Sequence, residues 1–175
     1  MNNLSLLFGV MSGTSLDGID IVLINQTNRA IKIIEFIQIS YSTKTKKEFL
    51  ALHTEHHSDL EHSIRLSLFH AKITANGIKK ILKKYKLEAK NIKCIGYHGQ
   101  TIRHYPQSGY SIQLGNANLL AELTNITVVS DFRNRDIVAG GQGAPLVPAF
   151  HTEYFFKENK NRIIINIGGI SNLTY

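Results

Sequence analysis

The sequence has little of what stabilises small secreted proteins or carries a chain through a membrane. It contains one cysteine, Cys94, three prolines and no tryptophan among 175 residues. A lone cysteine cannot form an internal disulfide, so a hydrophobic core has to hold the fold together. The apolar stretches at residues 4–11 and 163–167 are far shorter than the roughly 20 residues that span a bilayer. We therefore expect a soluble globular protein that makes no contact with membranes.

Acidic residues are also scarce, with 13 Asp and Glu against 20 Lys and Arg, which gives a formal net charge of +7. Eight of the basic residues lie between Lys72 and Lys93, and Tyr85 is the one aromatic residue among them. Nucleic-acid surfaces typically combine arginine and aromatic side chains around a groove. The lysines therefore indicate the solvated face of a helix, and we expect no nucleic-acid partner.

The N-terminal segment lacks the features of a secretory signal. Residues 1–3 carry no basic side chain, and the apolar stretch that follows runs into a turn instead of a small-residue cleavage site. We expect a cytoplasmic protein.

Hydrophobic periodicity predicts three meandering strands followed by alternating helices and strands. The predicted strands lie at residues 4–10, 19–24, 31–40, 92–97 and 110–114. This order predicts an α/β fold, namely an RNase H-like (actin-like ATPase) lobe with a mixed five-stranded sheet and helices on its faces. Short helices are expected at residues 117–123 and after Pro145.

A long helix is expected between the third and fourth strands. Ser58 and Glu61 form a Ser-x-x-Glu capping box, which places the helix N-terminus at Ser58. Apolar residues then recur at three- and four-residue steps and predict a face that covers the sheet. The members of this face are Leu60, Ile64, Leu68, Ala71, Ala75, Ile78 and Leu82.

A weak internal repeat suggests where a second unit begins. Residues 6–23 and 163–175 both read as a strand, a glycine-containing turn and a second strand. We predict a lobe at residues 1–160 and the first strand of a second lobe within residues 161–175. The strand at residues 163–167 is expected to pair between chains or to leave an exposed edge.

Residues 11–18 combine three hydroxyl side chains with two glycines between two predicted strands. Glycines permit a tight turn with positive φ that aims backbone N–H groups at an anion, and hydroxyls bind phosphate oxygens. A carboxylate beside phosphate needs a cation between them, so Asp17 is a candidate indirect contact to Mg²⁺. The alternative is an ordinary hairpin turn, which requires fewer residues of this kind.

Two further segments carry candidate ligand-binding residues. His98 and Gln100 follow the predicted strand 92–97 and suit a sugar's hydroxyl and amide groups, although His98 is equally compatible with a core histidine. After a short strand at residues 127–129, Arg133 and Arg135 alternate with acids, which suits a carboxylate-bearing ligand or a structural ion-pair network. The three glycines of residues 139–145 then indicate close backbone approach to a ligand.

The histidines and acids of residues 53–62 resemble a metal site only superficially. The segment has no cysteine and no distant partner motif, and it falls between two predicted helices. We interpret it as a polar, water-facing boundary, and we interpret Cys94 as a buried apolar residue.

Five segments, in this order along the chain, resemble the anhydro-N-acetylmuramic acid kinase family. They are GVMSGTSLDG (9–18), HGQT (98–101), DFR (131–133), GGQGAPLVP (140–148) and NIGG (166–169). The resemblance covers the whole chain but about the first half of a full-length family member. Asn134 departs from it, because an arginine is expected between Arg133 and Arg135.

The resemblance implies a cytoplasmic, homodimeric sugar kinase of peptidoglycan recycling that uses ATP and Mg²⁺. In such a kinase an aspartate activates water to open 1,6-anhydro-N-acetylmuramic acid, and the released oxygen takes the γ-phosphoryl group to give N-acetylmuramic acid 6-phosphate. By this match the nucleotide would contact Ser12, Gly13, Thr14, Ser15, Leu16, Asp17, Gly18 and Ile19. The sugar would contact His98, Gln100, Arg133, Arg135 and Asp136.

The catalytic base of the family lies in a segment after the NIGG strand, beyond Tyr175, so the resemblance assigns no base to this chain. We expect an incomplete half of the kinase that binds ATP weakly and does not turn over. The alternative is a non-catalytic module that binds a sugar or a nucleotide. A nucleic-acid binder that uses the lysine-rich helix would be distinguished by a steep salt dependence.

Overall fold

The structure is a computed structural model, and it describes residues 5–27, 30–53, 60–156, 160–167 and 171–175. The strands are β1 (Ser5–Ser12), β2 (Gly18–Thr27), β3 (Ala30–Ser40), β4 (Ile92–Tyr105), β5 (Tyr110–Leu114), β6 (Val128–Ser130), β7 (Ile164–Asn166) and β8 (Asn172–Thr174). The helices are α1 (Thr43–Ala51), α2 (Leu60–Tyr85), α3 (Ala117–Thr124), α4 (Phe132–Val138) and α5 (Pro148–Phe155).

The main sheet is mixed, as the sequence predicts. Its strands follow the order β3-β2-β1-β4-β5, and β6, which matches the short strand predicted at residues 127–129, pairs with β4 and makes the sheet six-stranded rather than five-stranded. β1, β2 and β3 are antiparallel, whereas β4 runs parallel to both β1 and β6. β4 can pair with both strands along one edge because it has 14 residues. β6 pairs near its start, and β5 pairs with its second half.

Helix α2 covers one face of this sheet. Ile19, Ile21 and Leu23 alternate along β2, are fully buried and belong to the core that α2 completes. Close packing requires Gly77 on α2, because an added Cβ would lie 2.6 Å from Cδ1 of Ile21. β2 therefore presents its even-numbered residues near Asp20 to the opposite face of the sheet.

The predicted apolar face of α2 is correct in its second half and wrong in its first. Leu60 and Ile64 are 75% and 51% exposed, whereas His70 and Thr74 are buried. The buried face thus includes the polar residues His70 and Thr74. A prediction from hydrophobic residues alone leaves such positions out. The predicted N-terminus at Ser58 lies outside the described residues.

Two features of the second half differ from the prediction. β4 does not end at Tyr97 but continues through a bulge at Gly99, whose φ of 74° favours glycine. The short helix α4 was not predicted; it follows Asp131, which has φ 61° and makes no side-chain cap. The helix expected after Pro145 begins at Pro148, where the first turn does not need the missing N–H.

The strand predicted at residues 163–167 pairs within the chain, because β7 and β8 form an antiparallel hairpin. His151 on α5 contacts Thr174 of this hairpin at 3.0 Å. Ile163, Ile165 and Leu173 remain exposed. The division into lobes at residue 160 stays a prediction. None of the helices in the described part of the chain combines the length and hydrophobicity needed to cross a lipid bilayer.

Candidate functional site

The loop at residues 13–17 joins β1 to β2 and leaves its two hydroxyl side chains, Thr14 and Ser15, exposed. The N–H of Leu16 donates to the carbonyl of Gly13 at 3.2 Å. The positive φ expected of a glycine belongs to Leu16 instead, at 55°, and its side chain is buried in the core. Burial of the Leu16 side chain offsets the strain of its backbone. The prediction that a glycine of this loop has positive φ was therefore wrong about which residue has it.

Buried side chains of the core form hydrogen bonds to the first residue of this loop and to Ser12 before it. The amide Nε2 of Gln100 donates to the carbonyl of Gly13 at 3.0 Å, and the hydroxyl of Ser12 lies 2.8 Å from Nε2 of His70. Both Gln100 and His70 are fully buried. The hydroxyl of Ser12 therefore faces the core rather than a ligand. Oε1 of Gln100 has no hydrogen-bond partner within the described ranges.

His70 is the centre of a buried polar network that the sequence interpretation missed. Its Nδ1 lies 2.6 Å from the hydroxyl of Tyr97, and the hydroxyl of Ser12 also lies 3.3 Å from that of Tyr41. Burial, together with the neighbouring His98, lowers the pKa of His70 to about 3, and burial raises the pKa of Tyr41 to about 12. The network is therefore uncharged at neutral pH. A histidine in phase with buried helix positions was its only sequence signal.

Acid is expected to unfold the protein partly through His70. The unfolded chain binds a proton on this histidine below about pH 6.5, whereas the folded chain does not until about pH 3. The stabilisation is therefore complete above pH 6.5 and is lost as the pH falls. Between pH 7 and pH 4 we expect a loss of about 3 kcal/mol in the free energy of unfolding.

The matched control is His70→Gln, which keeps a nitrogen near the Nε2 position but does not titrate. Urea denaturation of both proteins at pH 7, 5.5 and 4 measures the difference in free energy of unfolding between them. That difference should shrink as the pH falls. A difference that is constant over this range would contradict a buried, neutral His70.

Asp17 stands at the exposed end of the loop. Its side chain is 62% exposed and lies 3.2 Å from Nζ of Lys46. A hydrogen bond from Ser15 and then the contact with Lys46 lower the pKa of this carboxyl. No cluster of three or more His, Cys, Asp or Glu residues suited to a metal occurs in the described part of the chain. A lone exposed carboxylate fits Mg²⁺ that is held mainly by phosphate and water.

His98 and Arg133 form the centre of the second group of candidate residues. Nε of Arg133 donates to Nε2 of His98 at 2.9 Å, and Nη1 of Arg133 donates to the carbonyl of Gly143 at 2.7 Å. Because a guanidinium cannot accept, Nε2 of His98 carries no proton; Nδ1 carries it and donates to the carbonyl of Gly99. Burial, and also the charge of Arg133, lower the pKa of His98. The imidazole is thus a neutral support for the guanidinium.

Asp136 ties the glycine-rich segment to α4. Its Oδ2 accepts from the N–H of Gly143 at 2.8 Å, and a Cβ on Gly141 would lie 2.1 Å from the same oxygen. Arg135 is exposed, and its side chain makes no hydrogen bond or ion pair within the described ranges. Asn134, where an arginine was expected, accepts from the N–H of Ser111 and donates to Asp131, both at 2.8 Å. Asn134 thus has a structural role that arginine could not copy.

Three parallel strands bring the two groups to one end of the sheet. Ser12 at the end of β1 is in register with Gln100 on β4, and Tyr97 on β4 is in register with Ser130 at the end of β6. The loop at residues 13–17, the β4 bulge and α4 follow these positions directly. Ligands bind at the carboxyl ends of parallel strands in open α/β sheets. Among the predicted sugar residues, His98 and Arg133 contact each other, and Asp136 meets Arg133 at Gly143. Gln100 instead supports the loop at Gly13, so it is not part of this group as the sequence predicted.

Comparisons with known proteins confirm the resemblance to one family. The sequence profile of the family described as anhydro-N-acetylmuramic acid kinase matches residues 5–175. Proteins with that name from Pseudomonas fluorescens and Nitrosomonas europaea are 47% and 48% identical, over 98% and 95% of this chain. One from Pseudomonas syringae pv. tomato is 49% identical over 95% of the chain. The chain spans about half the length of these relatives, from 45% to 47%.

Proposed function

The chain belongs to the anhydro-N-acetylmuramic acid kinase family, and we propose that it forms the part of such a kinase that binds ATP and the sugar. The reaction is the ATP-dependent phosphorylation of 1,6-anhydro-N-acetylmuramic acid with opening of the anhydro ring, to give N-acetylmuramic acid 6-phosphate for peptidoglycan recycling. We further propose a cytoplasmic homodimer with Mg²⁺ as cofactor. No residue of this chain is assigned as the general base.

The observation that carries the proposal is the meeting of two different sites at one sheet end. A loop suited to phosphate follows β1, and an arginine held by a neutral histidine stands beside the neighbouring strand β4. A kinase needs the phosphoryl donor and its acceptor side by side, because most of the catalysis in phosphoryl transfer comes from positioning and charge stabilisation.

The loop would bind the phosphates of ATP through backbone N–H groups and the exposed hydroxyls of Thr14 and Ser15. Ser12 contributes its backbone only, because its hydroxyl bonds to His70. Mg²⁺ would supply positive charge between the phosphates and Asp17. Leu16 and Ile19, which are buried, hold the loop in place from the core side.

The sugar carries a carboxylate, and arginine is the residue suited to bind it in a bidentate way. Arg133 is oriented by His98 and by Gly143, so its direction is fixed before any ligand arrives. Arg135 lies on the same helix with its charge unpaired within the described ranges. Asp136 shapes the glycine segment through Gly143, which brings backbone close to the ligand.

Amide mapping by NMR tests this division of the site. Adding Mg-ATP to the ¹⁵N-labelled chain should shift the amide signals of residues 12–19. Adding 1,6-anhydro-N-acetylmuramic acid should shift those of residues 98–103 and 133–143. Shifts from both ligands at one segment, or shifts confined to α2 and α5, would contradict the proposal.

The second candidate is a non-catalytic module that binds the same ligands. A phosphorylation assay with radiolabelled ATP separates the two: product indicates a kinase, and binding without product indicates a binding module.

A further inference from the structure

Asp20 has been given no role so far. It lies on the sheet face that carries His98, Arg133 and Asp136, which we call the Arg133 cluster. Asp20 is the third residue of β2, directly after the loop. Its neighbours Ile19 and Ile21 are fully buried on the α2 side, so alternation turns Asp20 to the other side. Val22 also lies on that side, where a Cβ on Gly9 would contact its Cγ1 at 3.1 Å.

The register of the strands places Asp20 in a row with His98. Asp20 pairs with Met11 on β1, and the neighbouring pair Val10 and Tyr97 brings Met11 beside His98 on β4. Tyr97 turns toward His70 on α2, so Met11 and His98 face away from that helix, as Asp20 does. Two strand spacings separate Asp20 from His98, which is about 10 Å. Asp20 therefore lies on the same sheet face as His98, three residues after the end of the loop.

The side chain of Asp20 lacks a donor. Its Oδ1 is buried, and no hydrogen bond or ion pair reaches it from the described residues. A buried carboxylate oxygen without a donor destabilises a fold, and aspartate is also unfavourable inside a strand. Asp17, three residues earlier, is exposed and paired with Lys46. Of the two acids that flank Gly18, only Asp20 has an unexplained acceptor.

Two other acceptors beside His98 and Arg133 are already used. His98 accepts from Arg133 through Nε2, and Asp136 accepts from Gly143 through Oδ2. A sugar presents hydroxyl donors, each of which needs an acceptor when water is excluded. The chemistry that satisfies Asp20 is an O–H donor from a ligand bound on this face.

We propose that Asp20 is a sugar-binding residue that accepts a hydrogen bond from a hydroxyl of the sugar bound beside His98 and Arg133. This inference rests on the proposed function. It predicts a carboxylate whose presence destabilises the ligand-free chain and strengthens sugar binding, which is the opposite of what a structural aspartate does.

The test compares Asp20→Asn and Asp20→Val with Glu122→Gln on α3, an exposed acid outside both proposed ligand sites, as the control. Calorimetry with 1,6-anhydro-N-acetylmuramic acid should show affinity reduced by about tenfold or more for both Asp20 variants, and by less than about twofold for Glu122→Gln. Thermal unfolding without ligand should give a higher Tm for both Asp20 variants than for the wild-type chain. Mg-ATP affinity should be unchanged in Asp20→Asn.

Each other outcome decides against the proposal. Unchanged sugar affinity with a lower Tm would make Asp20 a structural residue. Loss of Mg-ATP binding with unchanged sugar affinity would assign the carboxylate to the water shell of Mg²⁺ at the nucleotide. If the wild-type chain binds Mg-ATP but no sugar, the inference fails and the nucleotide half of the proposed function stands. If it binds neither, both fail.

Discussion

Replacing Arg133 by lysine is expected to lower the affinity for 1,6-anhydro-N-acetylmuramic acid about 30-fold, since losing the hydrogen-bonding fork of a half-buried guanidinium is expected to cost about 2 kcal/mol. The guanidinium donates to His98 and to Gly143 through two different nitrogens. A lysine ammonium is a single point of charge and cannot hold both contacts while facing a ligand. Calorimetric titration with the sugar measures the change.

Arg135→Lys is the matched control, because Arg135 is exposed, lies on the same helix and holds no other residue in place. Its substitution should leave the Tm unchanged, whereas Arg133→Lys should lower it by several degrees, because His98 and Gly143 lose a donor. A double-mutant cycle with His98→Phe should show strong coupling to Arg133. Additive effects would mean that His98 does not orient the guanidinium.

Gly18→Ala should destabilise the chain by about 3 kcal/mol or more, which corresponds to roughly 10 °C in Tm. An added Cβ would lie 2.2 Å from the carbonyl oxygen of Ile39 on β3. That oxygen is backbone in a paired strand, so no side-chain rotation relieves the clash. β2 and β3 would have to move apart at Gly18, which would also displace the loop that is proposed to bind phosphate.

The control lies in the same loop. An added Cβ on Gly13 has Oγ of Ser15 as its nearest neighbour, at 3.6 Å, which is ordinary contact. Gly13→Ala should therefore change the free energy of unfolding by less than about 0.5 kcal/mol. Equal effects at both positions would show that the close approach of β3 to Gly18 does not exist. Urea denaturation of both variants measures the difference.

Much of this fold can be predicted from apolar runs and helical periodicity, because the formation of these strands and helices depends mainly on neighbouring residues. The strands around residues 19–24 and 31–40 follow from apolar runs, and helix α3 follows from periodicity between turn residues. The two candidate ligand-binding segments were predicted from residue types that suit phosphate and carboxylate, and their binding role stays a prediction. His98, Arg133 and Asp136 do form one cluster, although the sequence placed them 38 residues apart.

What the sequence did not predict depends on tertiary contacts. Leu16 adopts a left-handed backbone because its side chain is buried, which no local preference indicates. His70 on α2 can be buried because both of its ring nitrogens have hydrogen-bond partners, Ser12 on β1 and Tyr97 on β4. Helix α4 is too short and too polar for periodicity to detect. β4 passes its predicted end because β5 returns to pair with it.

A calorimetric titration of this chain with 1,6-anhydro-N-acetylmuramic acid and with Mg-ATP, run beside a phosphorylation assay, tests the central claim most directly. The central proposal is that this chain contributes to the binding of both ligands at one end of its main sheet. It predicts binding of both ligands, weakly for Mg-ATP, and the phosphorylation assay then distinguishes a kinase from a binding module. Failure to bind either ligand would contradict the proposal.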